Sequence, residues 1–150
     1  MCRGSAESYV TMEVITMNVF TLVKSDDSYI REVKPLPEDV SGQLNTMRDI
    51  IKCSYVDVMN FDYKDNSFDV WFDEEFLLNN EHPTATLILG NLKQDSFVIL
   101  CGNLIFTKHD GEGATVGLTD EEIKLLWEYT DLNSLKLHVA FKQGLVGCKK

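Results

Sequence analysis

Two adjacent carboxylates, Asp73 and Glu74, are the residues of this chain best suited to chemistry. Carboxylates that converge within a few ångströms can move protons or hold a divalent cation. Adjacent residues of a strand point to opposite faces, so at most two of the three acids at positions 73–75 can share a site. A solvated strand end or the start of a helix explains the same acidic run without any function, because negative charge is favourable at a helix N-terminus.

The polar connection that follows these acids is the predicted location of a binding site. Pro83 restricts its freedom, and Gly102 permits a close backbone approach beside a polar residue of a later strand. Such a segment, held between apolar strands, is a common place for a ligand site in a small domain. A simple turn explains the two asparagines equally well. The candidate ligand-binding residues are Asp73, Glu74, Asn79, Asn80, Thr84 and Asn103.

No catalytic residue, metal ligand or cofactor is predicted. The four cysteines, at positions 2, 53, 101 and 148, form no CxxC motif, and no histidine has metal-ligand spacing to a cysteine or to another histidine. His82, His109 and His138 are therefore expected to be surface or loop residues. The chain also lacks the GxSxG, GxxxxGK[ST] and GxGxxG motifs of hydrolases and nucleotide-binding proteins.

Charge and composition restrict the partners of the protein. Among 150 residues, 24 are acidic and 14 are basic, which gives a net charge of -10. Such a surface repels nucleic acid and anionic membranes. The sequence shows neither a signal peptide nor a membrane span, and its cysteine usage is typical of a reducing compartment. We therefore expect a cytoplasmic protein without direct nucleic-acid or membrane partners.

Alternating apolar residues and turn signals predict two hairpins. The first joins strands at 18–24 and 29–34, with Pro35 and Pro37 ending it. The second joins strands at 55–61 and 68–72 through the polar residues 62–66. Between the hairpins, Ser41 is the predicted N-cap of a helix that extends to about Lys52.

The second half of the chain is predicted to contain one long strand and a helix. The long strand covers residues 97–108 and is interrupted at Gly102, whereas residues 84–89 fit either a helix or a strand. Thr119 and Glu122 have capping-box spacing, which predicts a helix that begins there and buries Trp127. Alternation from Leu135 to Phe141 predicts a final edge strand.

These elements indicate an α+β fold with a small, mainly antiparallel sheet of two hairpins plus a long strand, packed by two helices. The expected organisation is a flexible N-terminal extension at 1–16, a single domain at 17–142 and a frayed tail at 143–150. Met1, Met12 and Met17 are all possible start sites.

The order of short motifs along the chain resembles a known family. These motifs are YVDV at 55–58, DEE at 73–75, NN at 79–80, ATL at 85–87, ILCGNLI at 99–105 and LTDEEI at 118–123. In this order they resemble the family called domain of unknown function 3846, over roughly residues 17–129. Members of that family occur mostly in phages, plasmids and other mobile elements of bacteria. They usually carry a glycine pair where this chain has Cys53 and Ser54.

The resemblance implies no activity, so three functions are open. The first is a small acidic accessory protein of a phage or mobile genetic element that binds a host protein or a small signalling molecule without catalysis. The second is a metal-dependent hydrolase that uses Asp73 and Glu74. The third is an acidic mimic of DNA, which would need carboxylates spaced like phosphates along one face.

Overall fold

The computed structural model describes residues 16–25, 28–75, 85–91 and 96–142. Its main sheet has six strands, in the order β2-β1-β7-β4-β3, with the short β8 also paired to β7. A second sheet of two strands contains β5 and β6. All of the strand pairs are antiparallel. The strands are Thr16–Ser25 (β1), Ser28–Pro37 (β2), Val56–Tyr63 (β3), Asn66–Asp73 (β4), Ala85–Asn91 (β5), Ser96–Cys101 (β6), Leu104–His109 (β7) and Thr115–Val116 (β8).

The described elements also include two helices, Val40–Ile51 (α1) and Asp120–Lys142 (α2). The predicted α+β class, with a mainly antiparallel sheet and two helices, is therefore confirmed. None of the described helices has an apolar stretch long enough to cross a membrane. The predicted extension lies outside the described residues up to position 15, as does the predicted tail at 143–150.

The first hairpin, β1–β2, extends further than its sequence predicts. Pro35 and Pro37 do not end β2 but pair with Asn18 and Thr16 of β1. Because β2 is an edge strand of the sheet, no described strand on its outer side requires a backbone N–H from these prolines. The prediction that the prolines stop the strand was therefore wrong.

The second hairpin, β3–β4, is closed by a two-residue turn. Lys64 and Asp65 both have positive φ, 49° and 65°, and Tyr63 pairs with Asn66 on either side of them. Two consecutive residues of this kind form the type I′ turn, whose twist matches that of the flanking strands. The hairpin is confirmed, with longer strands and a tighter turn than predicted.

The predicted long strand at 97–108 is two strands in different sheets. It breaks at Gly102, which has φ 90°, so that β6 pairs with β5 while β7 enters the main sheet between β1 and β4. A positive φ turns the chain out of the extended direction, and glycine adopts it without steric cost. Residues 85–91 form a strand, which settles the alternative left open for 84–89.

Helix α1 begins two residues earlier than predicted, because Asp39 and not Ser41 is its N-cap. The Asp39 carboxylate accepts a hydrogen bond of 2.7 Å from the Gly42 N–H. At the other end Lys52 adopts the left-handed conformation, with φ 65°, and its N–H donates to the Arg48 carbonyl. The positive φ that glycine would favour thus lies at Lys52, and neither Cys53 nor Ser54 has one.

Helix α2 begins at the predicted capping box. The Glu122 N–H donates to Thr119 Oγ1 (3.2 Å), and the Thr119 N–H donates to Glu122 Oε1 (2.8 Å). The helix then continues to Lys142, so the edge strand predicted over residues 135–141 was wrong. Leu135 and Val139 lie four residues apart, and so do Leu137 and Phe141, which satisfies helical spacing as well as alternation.

Two apolar clusters cover the two faces of the main sheet. One cluster joins the face that carries Phe68, Val70 and Phe72 to buried residues of α2. The other joins the opposite face, including Ile105, to Met47 and Ile51 of α1. The sheet is therefore the middle layer between two helices, and alternate residues of β4 and β7 serve different cores.

Trp127 is not the core residue that its helical spacing predicts. It is 41% exposed, with its ring against Phe20 on one side and the Arg31 guanidinium 4.9 Å from the ring centroid. The guanidinium also donates to Thr130 and forms an ion pair with Asp131. The tryptophan therefore covers the edge of the core, and the loss of about 3–5 kcal/mol typical of a core aromatic truncation does not apply to it.

Candidate functional site

The residues predicted to bind a ligand fall into two groups. Asp73, Glu74 and Asn103 are described, whereas Asn79, Asn80 and Thr84 lie outside the described residues. Of the connection at 73–84 that was proposed to contain the site, the structure therefore describes only residues 73–75. The role of these six residues remains a prediction.

The sheet brings Asp73 and Asn103 to the same end of neighbouring strands. In the β4–β7 ladder Trp71 lies opposite Ile105, and Asp73 and Asn103 each lie two residues beyond this pair. Both side chains are buried, and each is anchored to nearby backbone. Asp73 Oδ1 accepts from the Glu75 N–H (2.9 Å), while Asn103 Nδ2 donates to the Ile50 carbonyl (2.9 Å) at the end of α1.

Glu74 does not share this location. Its side chain is exposed, while its backbone N–H donates to the Tyr55 carbonyl. Across the described ranges, no three carboxylate, histidine or cysteine side chains are grouped so that they could hold a metal ion. The geometry of these ranges therefore offers no support for a metal-dependent hydrolase built on Asp73 and Glu74.

Cys53 lies close enough to Asp73 for the thiol and the carboxylate to interact electrostatically. Burial, and then the negative charge of Asp73, raise the pKa of the Cys53 thiol to about 11. The thiol is further held by a hydrogen bond of 3.3 Å to the Tyr55 carbonyl. This cysteine is accordingly a weak nucleophile at neutral pH.

Alkylation of Cys53 by iodoacetamide should therefore increase about tenfold per pH unit between pH 8 and pH 10, because only the thiolate reacts. An ordinary cysteine, with a pKa of about 8.5, levels off above pH 9. Peptide-resolved mass spectrometry separates Cys53 from the other three cysteines. A plateau above pH 9 would contradict the raised pKa, and Asp73→Asn should move the curve to lower pH.

A cavity of about 350 Å³ opens on the face of the sheet that carries Asp69 and Trp71. Residues from β3, β4 and β7 form its floor, and the loop before β8 forms its rim. The cavity is lined by Val58, Met59, Asn60, Asp69, Trp71, His109, Gly113 and Thr115. Its combination of apolar, aromatic and polar lining is typical of small-molecule sites.

A carboxylate–imidazole pair lies in this cavity. His109 Nδ1 is 2.8 Å from Asp69 Oδ2, and Asn60 Nδ2 donates to Asp69 Oδ1 at 3.0 Å. Asp69 is buried, whereas the His109 side chain is 43% exposed at the open side. Both oxygens of the buried carboxylate are thus hydrogen-bonded, as a buried charge requires.

The strand register explains this arrangement. Asn60, Asp69 and Thr107 are directly opposite one another across β3, β4 and β7. His109 lies two residues beyond Thr107 on the same face of β7, which makes it a diagonal neighbour of Asp69. A second diagonal contact joins the next row, where Trp71 Nε1 donates to Thr107 Oγ1 at 3.0 Å. Backbone pairing therefore positions every polar group of the cavity floor.

The Asp69 contact determines which nitrogen of His109 faces a ligand. A carboxylate accepts hydrogen bonds, so Nδ1 carries the hydrogen and Nε2 of the neutral ring is an acceptor. Within the described residues no group hydrogen-bonds to Nε2. The site therefore offers an oriented imidazole whose Nε2 can accept a hydrogen bond.

The sequence did not indicate this site. His109 was expected only to be a surface or loop residue. One signal was available in the strand pattern. Asp69 lies on the same face of β4 as Trp71, and a carboxylate that this face buries needs partners.

A family model described as Domain of unknown function (DUF3846) matches residues 17–133. No curated protein and no solved structure matches the chain.

Proposed function

Since the chain belongs to the DUF3846 family, whose description names no activity, we propose its function from the cavity, as a small-molecule binding protein. In this proposal it is a small acidic accessory protein of a phage or mobile genetic element, and it acts in the bacterial cytoplasm without catalysis. The genetic setting rests on the family resemblance alone. The binding function rests on the cavity that contains Asp69 and His109.

The oriented His109–Asp69 pair is the observation that carries the proposal. A buried carboxylate is a costly feature on a sheet face, and here it fixes one exposed imidazole beside the aromatic ring of Trp71. A few well-placed polar groups on a mostly apolar lining are what a small-molecule site requires. A purely structural role would not require the imidazole to face an open cavity.

The lining favours binding over covalent chemistry. Among the described residues that line the cavity there is no cysteine, serine or lysine, and Thr115 is the one hydroxyl. The Asn60 amide is engaged by Ser67, by the Phe68 carbonyl and by Asp69. These bonds hold the Asp69 carboxylate in place, and His109 is the group that can hydrogen-bond to a ligand.

Retention of a small molecule tests this function. The protein is incubated with a metabolite extract of bacteria and washed, and the bound compounds are identified by mass spectrometry. We expect the native chain to retain a compound unchanged. Val58→Lys, which places a long charged side chain in the cavity floor, should abolish this retention.

Val33→Lys is the matched control. Val33 is 45% exposed on edge strand β2 and Val58 is 40% exposed on edge strand β3, but only Val58 lines the cavity. The control should retain the compound like the native chain. If nothing is retained, or if both variants retain it equally, the cavity is not the binding site.

A further inference from the structure

The wall of the cavity also restricts the chemical class of its ligand. We propose that it takes a planar heteroaromatic ring that presents an N–H donor at its edge, such as an aminopurine, and that carries no phosphate. This inference rests on the proposed function, because it names the ligand of the same cavity. Three properties of the lining support it.

The first property is the shape and polarity of the floor. Trp71 contributes an aromatic ring, and Val58, directly opposite it on β3, is apolar. Aromatic ring systems stack on such surfaces in a sequence-tolerant way, because every base has a π-face. A volume of about 350 Å³ is near the lower end of ligand pockets, so it suits one ring system better than an extended molecule.

The second property is the direction of the hydrogen bond. His109 Nδ1 is held by Asp69 at 2.8 Å, so the nitrogen on the other side of the neutral ring is an acceptor. The matching ligand group is a donor. An exocyclic amino group on a heteroaromatic ring supplies that donor in the plane of the ring, where it does not disturb stacking.

The third property is charge. Asp69 lies in the floor, and none of the described residues that line the cavity is a lysine or an arginine. The chain as a whole has a net charge of -10. Phosphate recognition relies on arginine, lysine or exposed backbone N–H groups, so a nucleotide would be repelled where its base alone is not.

Three probes separate these properties. The native protein is titrated with 9-methyladenine, with 9-methylpurine, which lacks the amino group, and with adenosine 5′-monophosphate. Binding is followed by the ¹⁵N–¹H signal of the Trp71 indole. Trp127→Phe identifies that signal, since the chain has two tryptophans.

We expect 9-methyladenine to bind roughly three- to tenfold more tightly than 9-methylpurine, the range for one hydrogen bond. Adenosine 5′-monophosphate should bind more weakly than 9-methyladenine. In His109→Phe, which keeps an aromatic ring but loses the acceptor, the two methylated probes should bind equally. The comparison of probes on the native protein stands even if this variant does not fold.

Other outcomes distinguish failure of the inference from failure of the function. Equal binding of the two methylated probes by the native protein, or tighter binding of the phosphate, would overturn the inferred ligand class. It would leave the binding function in place. If none of the probes moves the Trp71 signal, the ligand class is wrong. If the protein also retains no compound from the metabolite extract, the proposed binding function is wrong as well.

Discussion

Replacing Phe106 by alanine should lower the free energy of unfolding by about 3–5 kcal/mol, the cost of truncating a core aromatic residue. Phe106 is fully buried in β7 and lies opposite Phe20 on one side and Val70 on the other. Its ring meets the edges of Phe20 and Phe61 at centroid distances of 5.7 and 6.0 Å. Residues of both hairpins pack on the Phe106 ring. The space that its truncation leaves therefore cannot be filled by a shift of one hairpin alone.

Urea denaturation monitored by circular dichroism measures this loss. Val33→Ala is the control, because Val33 is an exposed residue of an edge strand and its truncation should stay within about 0.5 kcal/mol. Small domains are stable by about 5–15 kcal/mol, so Phe106→Ala should leave little of the folded state in mild denaturant. A loss below about 1.5 kcal/mol would show that β7 does not pack between the two hairpins.

Gly117→Ala should also destabilise the fold, by about 1–3 kcal/mol, because the new methyl group overpacks a filled space. A Cβ at this position would lie 2.8 Å from Met17 Cβ and 3.1 Å from the Asn18 backbone nitrogen. The clash would strain the hydrogen bond from the Leu118 N–H to the Asn18 carbonyl, which joins the start of α2 to β1.

Gly111→Ala provides the matched test, since a Cβ at that position meets nothing within 4 Å. Its stability should remain within about 0.5 kcal/mol of the native value. Thermal melting of the two variants under identical conditions compares them directly. Equal melting temperatures would show that Gly117 does not lie against Met17 and Asn18 of β1.

Local sequence signals determined the parts of the fold that depend on neighbouring residues. The capping box at Thr119 and the alternation of Phe68, Val70 and Phe72 each involve residues within a few positions of one another. Their energetics are local, so the sequence displays them directly. The start of α2 and the hairpin β3–β4 were therefore predictable.

The candidate site was not predictable, because it depends on long-range strand pairing. His109 and Asp69 are 40 residues apart, and they meet only because β7 pairs with β4 in one particular register. A shift of one residue would place the imidazole on the opposite face. Nothing in the spacing of the histidines indicates that register.

The position of Trp127 was mispredicted for a related reason. Helical periodicity identifies the face of α2 that turns toward the sheet, but it does not determine how far the sheet extends beneath that face. Trp127 lies at the margin, where Arg31 from the edge strand β2 covers part of its ring. The extent of a core is a property of the assembled layers.

The place of β7 in the sheet also sets the order in which the chain can fold as it leaves the ribosome. Both hairpins are complete by Asp73, but β7, which joins them, begins only at Leu104. At about 5–20 residues per second, these thirty or so residues take about 2–6 s to synthesise. For those seconds β1 and β4 each present an unpaired inner edge, to which the other hairpin or another chain can add. Productive folding of the nascent protein thus depends on the hairpins remaining apart until β7 separates them.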